Sequence, residues 1–116
     1  MRPRRSRGSV AELTRGSVCG VRLGRTGGRE QSGRRYAVIV QSDDLWLLNT
    51  VVVVPTSTSA RAATFRPEIV VDGQRTRVLC EQIRTVDALR LGESVSMLSA
   101  AELSSVEDAL ELVLEL

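Results

Sequence analysis

The residues best suited to chemistry in this 116-residue chain stand at the ends of two apolar runs. Arg35 comes just before residues 37–40 (AVIV), and Ser57 and Thr58 come just after residues 51–55 (VVVVP). A guanidinium and a hydroxyl both donate hydrogen bonds to the nonbridging oxygens on which charge builds up when a phosphodiester is cleaved. If the two runs are neighbouring strands, Arg35 and Ser57 converge at one end of the sheet. The pattern therefore predicts a phosphodiester site.

The reaction predicted at this site is RNA cleavage that uses the 2′-OH as nucleophile. The sequence contains no histidine and no acidic cluster suited to two divalent ions, so we expect no metal, no cofactor and a 2′,3′-cyclic phosphate product. Because an arginine with a pKa above ~12 is poorly matched to proton abstraction at neutral pH, a second group is needed. Glu30 and Glu81 are the candidates, and the alternative for each is a carboxylate paired with an arginine.

Charge is distributed unevenly along the chain. Residues 1–35 carry ten arginines and two glutamates, a net charge of +8, whereas residues 81–116 carry a net charge of −6. All sixteen basic residues are arginine, which suits phosphate binding but equally reflects GC-rich coding. The positive half predicts an acidic, apolar partner peptide that would cover the arginine-rich cleft and block RNA.

Length and composition indicate one domain with an aliphatic core. Residues 1–14 are predicted to be a flexible basic arm and residues 15–116 a single domain. No apolar run reaches the ~18 residues of a membrane span, and no apolar segment of a signal peptide follows the basic start, so we expect a cytoplasmic protein that does not contact a membrane. Cys19 and Cys80 are expected to be free, half-buried thiols, with a disulfide as the alternative.

Periodicity predicts a mainly β chain, a small antiparallel barrel with a C-terminal helix. The predicted strands are residues 16–23, 34–42, 51–55, 65–71, 75–82 and 92–98. The first strand should have one buried face, Asp72-Gly73 should form a hairpin turn, and residues 83–90 should be irregular or a short helical turn. Ser99 and Glu102 form a capping box for a helix of about 16 residues, and Leu98 and Leu103 are placed as a hydrophobic staple.

Four ordered blocks resemble the MazF/PemK family of toxin endoribonucleases from type II toxin–antitoxin systems. They are residues 28–35 (GREQSGRR), residues 53–58 (VVPTST), residues 80–87 (CEQIRTVD) and the spacing of residues 91–114. The resemblance spans residues 15–116 and implies an SH3-like barrel and a homodimer. It also implies metal-independent cleavage of single-stranded RNA at short sequences, with inhibition of translation and growth, and neutralisation by a small MazE-like antitoxin.

The resemblance also assigns roles to individual residues. The family's catalytic arginine falls on Arg35, its catalytic threonine on Ser57 (with Thr56 or Thr58 after a one-residue shift), and an acid–base carboxylate on Glu81. The residues that would contact RNA are Arg29, Glu30, Gln31, Arg34, Tyr36, Thr58 and Gln82.

Three positions depart from the family pattern: Tyr36 replaces a proline, Gly20 an aromatic residue and Arg22 an acid. Tyr36 would either stack on an RNA base or pack at the barrel rim. Two other functions remain open. One is a related protein that binds RNA or an antitoxin without cutting, and the other is a gyrase-poisoning toxin of the CcdB type.

Overall fold

The fold is a curled antiparallel sheet with one helix packed on it. The computed structural model describes residues 13–22, 35–45 and 49–116. The predicted arm, apart from Leu13 and Thr14, lies outside the described residues, as do Arg29, Glu30, Gln31 and Arg34. The elements of the described part are β1 (Ser17–Val21), β2 (Arg35–Ile39), β3 (Thr50–Ser57), β4 (Glu68–Val71), β5 (Gln74–Val78), β6 (Arg84–Asp87), β7 (Leu91–Met97) and α1 (Ala100–Leu114).

Strand β3 is the centre of the sheet. The strand order is β4-β5-β3-β2-β1-β7, and β6 pairs with β3 as well. Along one edge of β3, residues 50–53 pair with β6 and residues 56–57 pair with β5. The other edge pairs with β2. The sheet curls into a half-barrel with β3 at its centre, and the predicted mainly β fold with a C-terminal helix is confirmed.

Each face of the sheet carries its own apolar cluster. The cluster on the helix face, here the helix-side cluster, joins Val18, Val38 and Val54 to Val106 and Leu110 of α1. The cluster on the other face, here the far-side cluster, has as its members Leu13, Cys19, Val21, Ala37, Ile39, Val51, Val53, Val86 and Leu91. Consecutive residues of β1, β2 and β3 therefore alternate between two buried faces, as expected for central strands.

The prediction that β1 has a single buried face is wrong. Val18 and Cys19 point to opposite faces, and both are fully buried. The reason is that β1 lies inside the sheet, between β2 and β7, with cover on both sides. The small residues Ser17 and Gly20 gave this segment a weak alternation that concealed the second buried face.

Other strand bounds also differ from expectation: β2 ends at Ile39 rather than at residue 42, and β5 ends at Val78, because residues 80–82 form a 3₁₀ helix rather than the end of the strand. Residues 84–87, predicted to be irregular, form β6, because the first half of β3 offers an edge with which they pair. Strand β4 begins at Glu68 rather than at residue 65. The hairpin between β4 and β5 is confirmed: Asp72 and Gly73 have φ values of 55° and 76°, in the left-handed region that such tight turns require.

The helix start is confirmed and also anchors the helix to the sheet. Ser99 Oγ accepts from the Glu102 N–H at 3.0 Å, and Glu102 Oε1 accepts from the Ser99 N–H at 2.9 Å. The second carboxylate oxygen, Oε2, accepts from the N–H of Val70 in β4 at 3.1 Å. The capping residue thus fixes α1 against the sheet face that carries the helix-side cluster. Leu98 and Leu103 pack together with that cluster, as a hydrophobic staple requires.

Candidate active site

The sheet register brings Arg35 and Ser57 to one end of neighbouring strands. In the β2–β3 pair, Ala37 lies opposite Pro55. This is the last pair of the ladder, and continued by two residues the same register would set Arg35, the first residue of β2, opposite Ser57, the last residue of β3. Side chains alternate along a strand, so Arg35 is on the face of Ala37 and Ser57 is on the face of Val53, which is the face that carries the far-side cluster. The predicted convergence rested on β2 and β3 being adjacent, and they are.

The three consecutive hydroxyls of this loop differ in availability. Thr56 is buried, and its Oγ1 donates to the backbone oxygen of Tyr36 at 2.9 Å, so that hydroxyl hydrogen is already used. Ser57 is half-buried, and its Oγ accepts from the Ser59 N–H at 3.2 Å, which orients the side chain. Thr58 is exposed. Ser57 is therefore the hydroxyl that is both held in place and accessible.

The Tyr36 side chain does not face the predicted site. It is half-buried and packs against the helix-side cluster, on the opposite face from Arg35 and Ser57. This position fits the packing alternative for Tyr36. Its role in stacking on an RNA base stays a prediction.

Glu81 is held by an arginine that the sequence did not single out. Arg66 donates to Glu81 Oε2 from Nε at 3.1 Å and from Nη2 at 2.6 Å. These bonds from the guanidinium hold the pKa of the Glu81 carboxyl below its usual range, and the carboxylate raises the pKa of Arg66. The other oxygen, Oε1, is buried and has no hydrogen-bond partner among the described residues. Glu81 is thus ionised and paired, while Gln82 next to it is exposed. Their roles in acid–base work and RNA binding stay predictions.

Arg66 also stabilises the loop that follows Ser57, residues 58–67. Its N–H donates to Ala63 O at 3.0 Å and its Nη1 to Arg61 O at 3.1 Å. The guanidinium carbon lies 5.5 Å from the centre of the Phe65 ring, within cation–π range. Arg77 of β5 then donates from Nη1 to Arg66 O at 2.8 Å. The loop is therefore fixed between Glu81 and β5, which keeps Ser57 at a defined position.

Arg66 and Arg77 are the residues near this site that sequence reasoning missed. Glu81 lies fifteen residues from Arg66 along the chain, so no local pattern marks the pair. The Asp72-Gly73 turn did predict that β5 returns along β4. It gave no indication that β5 goes on to pair with the end of β3, which is what brings Arg77 to Ser57.

The two cysteines are free and lie in different clusters. Cys19 belongs to the far-side cluster and Cys80 to the helix-side cluster, so the free-thiol expectation is confirmed and the disulfide alternative is wrong. Both are fully buried rather than half-buried. Burial raises the pKa of each thiol to about 11, with a smaller contribution from Glu81 at Cys80.

We expect both thiols to resist a thiol reagent at pH 8 in the folded protein and to react at once in denaturant. Folding raises the pKa of each thiol from the ~8.5 of an exposed cysteine to about 11. Below pH ~8.5 both thiols are protonated in the folded and the unfolded chain, so their contribution to the free energy of unfolding is fully present. As the pH rises towards 11, the unfolded chain loses these protons first, and that contribution is lost. Labelling with an aromatic disulfide, alongside urea unfolding at pH 8 and pH 10, tests this. Rapid labelling of either cysteine at pH 8 without urea would contradict it.

Within residues 13–22, 35–45 and 49–116, no three His, Cys, Asp or Glu side chains are grouped so as to hold a metal ion. Over the same residues, no helix is both long and apolar enough to cross a lipid bilayer.

Comparison with known proteins identifies the family. Residues 14–114 match the family model of the PemK-like, MazF-like toxin of type II toxin–antitoxin systems, and the chain belongs to this family. A candidate toxin of Mycobacterium tuberculosis is 46% identical over 84 residues, covering 71% of this chain and 77% of its own length. The endoribonuclease MazF of Staphylococcus epidermidis is 31% identical over 111 residues, 90% of this chain and 92% of its own.

Solved structures show the same fold at low sequence identity. A mycobacterial endoribonuclease in complex with its cognate antitoxin superposes with a TM-score of 0.76 at 22% identity, over 90% of this chain and 96% of that one. MazF of Deinococcus radiodurans superposes with a TM-score of 0.75 at 21% identity, over 90% of this chain and 97% of that one. At these identities the likeness concerns the fold alone.

Proposed function

We propose that this chain is a toxin endoribonuclease that cuts single-stranded RNA at short sequences without a metal ion. The observation that supports the proposal is the pairing of β2 with β3, because the strand ends that carry Arg35 and Ser57 are neighbours and both residues are on the same face of the sheet. The name of the Staphylococcus epidermidis relative, an endoribonuclease, supports the same activity. Cleavage at such a site would stop translation by destroying RNA and so inhibit growth.

In the proposed reaction, the 2′-oxygen forms a bond to phosphorus while the bond from phosphorus to the 5′-oxygen breaks. The products are a 2′,3′-cyclic phosphate and a free 5′-hydroxyl. Arg35 and Ser57 donate hydrogen bonds to the nonbridging oxygens and so stabilise their charge in the transition state. One group takes the proton from the 2′-OH and another supplies a proton to the 5′-oxygen. Glu81, ionised beside Arg66, and Glu30 are the proposed acid–base groups.

The proposed partners follow from charge and from the relatives. Arg29, Glu30, Gln31 and Arg34 would contact RNA next to Arg35, and Thr58 and Gln82, which are both exposed, would contact it as well. Toxins of this fold have been solved with a cognate antitoxin, including MazE with MazF of Deinococcus radiodurans. We propose a MazE-like antitoxin, a homodimer and a cytoplasmic location for this chain too.

The test is cleavage of a long single-stranded RNA by the purified protein in EDTA, with both product ends mapped. Cuts at one short recurring sequence, with cyclic phosphate on the upstream product and a 5′-hydroxyl on the downstream one, are expected. A well-folded protein that leaves the RNA intact would overturn the proposal. Binding of the same RNA would then favour a non-cutting relative, and inhibition of DNA supercoiling would favour a gyrase poison.

A further inference from the structure

Arg77 completes a row of side chains across three strands. In the β3–β5 pair, Ser57 lies opposite Arg77, and in the β4–β5 pair Arg77 lies opposite Glu68. On the other side of β3 lies β2, which pairs with it as far as Ala37 and Pro55 and begins at Arg35. By the alternation of side chains, Arg35, Ser57 and Arg77 are all on the face that carries the far-side cluster, with one arginine on each strand that neighbours Ser57. Neighbouring strands lie ~4.8 Å apart, so the backbones that carry Arg35 and Arg77 are separated by roughly 10 Å.

The Arg77 guanidinium is held by two contacts, and some of its N–H donors have no acceptor among them. It is 27% exposed, and its Nη1 donates to Arg66 O at 2.8 Å. Its Nη2 lies 3.4 Å from Glu68 Oε1, a long contact, and Glu68 also faces Arg75 at 3.4 Å. One carboxylate therefore serves two guanidiniums. An arginine has five N–H donors, so several donors and part of the positive charge of Arg77 remain for an anion.

We propose that Arg77 binds a backbone phosphate of the RNA, next to the phosphodiester held by Arg35 and Ser57. This inference rests on the proposed function. Arg77 contacts a phosphate that does not react, so it contributes to affinity and register rather than to the chemical step. A contact to the phosphate backbone carries no sequence information. The length of RNA that the site binds would thereby depend partly on β5 and not only on residues 29–34.

The experiment compares Arg77→Ala with Arg75→Ala, a matched control on the same strand. Arg75 shares Glu68 as its counter-ion at the same 3.4 Å, but it is 79% exposed and lies opposite Val70 rather than Ser57. Binding of a fully 2′-O-methylated single-stranded RNA, which lacks the nucleophile, is measured by fluorescence anisotropy at several salt concentrations. Arg77→Ala should weaken binding about 10-fold and reduce the slope of log affinity against log salt by ~0.7, the value for one phosphate contact on a single strand.

A lysine variant and cleavage kinetics distinguish the possible outcomes. Arg77→Lys should keep most of the salt slope, and in cleavage assays the loss in Arg77→Ala should fall on KM rather than on kcat. Equal affinities and slopes for Arg77→Ala and Arg75→Ala, with a wild type that cuts RNA, would overturn this inference and leave the proposed function standing. A folded wild type that neither binds nor cuts RNA would overturn both.

A second variant covers the case in which Arg77→Ala fails to fold. Glu68→Gln, made in the Arg75→Ala background, removes the counter-ion of Arg77 while keeping an oxygen that can accept its hydrogen bond. If Arg77 binds phosphate, this change should tighten RNA binding several-fold and steepen the salt slope. Unchanged binding would count against the inference.

Discussion

Replacing Arg35 with alanine should lower the rate of RNA cleavage by about 10²- to 10³-fold, the usual effect of removing a fixed donor to a charged transition state. The effect should be large because Arg35 is held within the sheet. It pairs with Val21 of β1, and its strand β2 pairs with β3 from Ala37 and Pro55 onward. A donor so held needs little reorganisation when charge develops on the phosphate. The measurement is kcat/KM with an RNA that contains one mapped cleavage site, in EDTA.

Two further variants serve as controls for this measurement. Arg35→Lys keeps the charge but loses the planar fork, so it should recover only part of the rate. Arg75→Ala removes an exposed arginine from β5 and should change the rate little. Thermal unfolding of all three variants checks that each is folded. Cleavage by folded Arg35→Ala at the wild-type rate would remove Arg35 from the reaction and leave it as a structural arginine.

The second large effect is expected in the core beneath α1. Leu110→Ala should lower the free energy of unfolding by about 2–4 kcal/mol, because Leu110 is 9% exposed and packs in the helix-side cluster with Val54 and Val38. Truncation removes buried methyl groups and leaves a cavity that the β-strands beneath the helix close only in part. Urea unfolding followed by circular dichroism measures the change.

Leu112→Ala is the matched control for this prediction. It is the same substitution in the same helix, two residues away, but Leu112 is 56% exposed. Its effect should stay within about 0.5 kcal/mol. Equal losses for the two variants would mean that both faces of α1 are covered in solution, and that the helix packs differently from the arrangement described here.

The sequence predicted those parts of the fold that local chemistry determines. The Asp72-Gly73 hairpin and the Ser99–Glu102 capping box each depend on residues within a few positions, so a local pattern is sufficient to find them. The adjacency of β2 and β3, on which the predicted convergence of Arg35 and Ser57 depends, was also predictable, because strands that follow one another along the chain commonly lie side by side.

The parts that were missed depend on distant pairing. Strand β6 forms because β3 is long enough to offer one edge to two partners, and no feature of residues 84–87 reveals this. The Arg66–Glu81 ion pair and the position of Arg77 opposite Ser57 also depend on distant pairing, because they follow from the pairing of β5 with the end of β3. Side chains that are brought together only by tertiary contacts leave no periodic pattern in a single sequence.

The shared register of β2 and β3 has a consequence for how such proteins can change over evolution. A slip of β2 by one residue would turn Val38 away from the helix-side cluster and, in the same movement, turn Arg35 to the opposite face from Ser57. The valine packing therefore also fixes the positions of the two proposed reacting groups. Under the proposed function, substitutions outside β2 and β3 would be free to alter which RNA is recognised without moving Arg35 relative to Ser57.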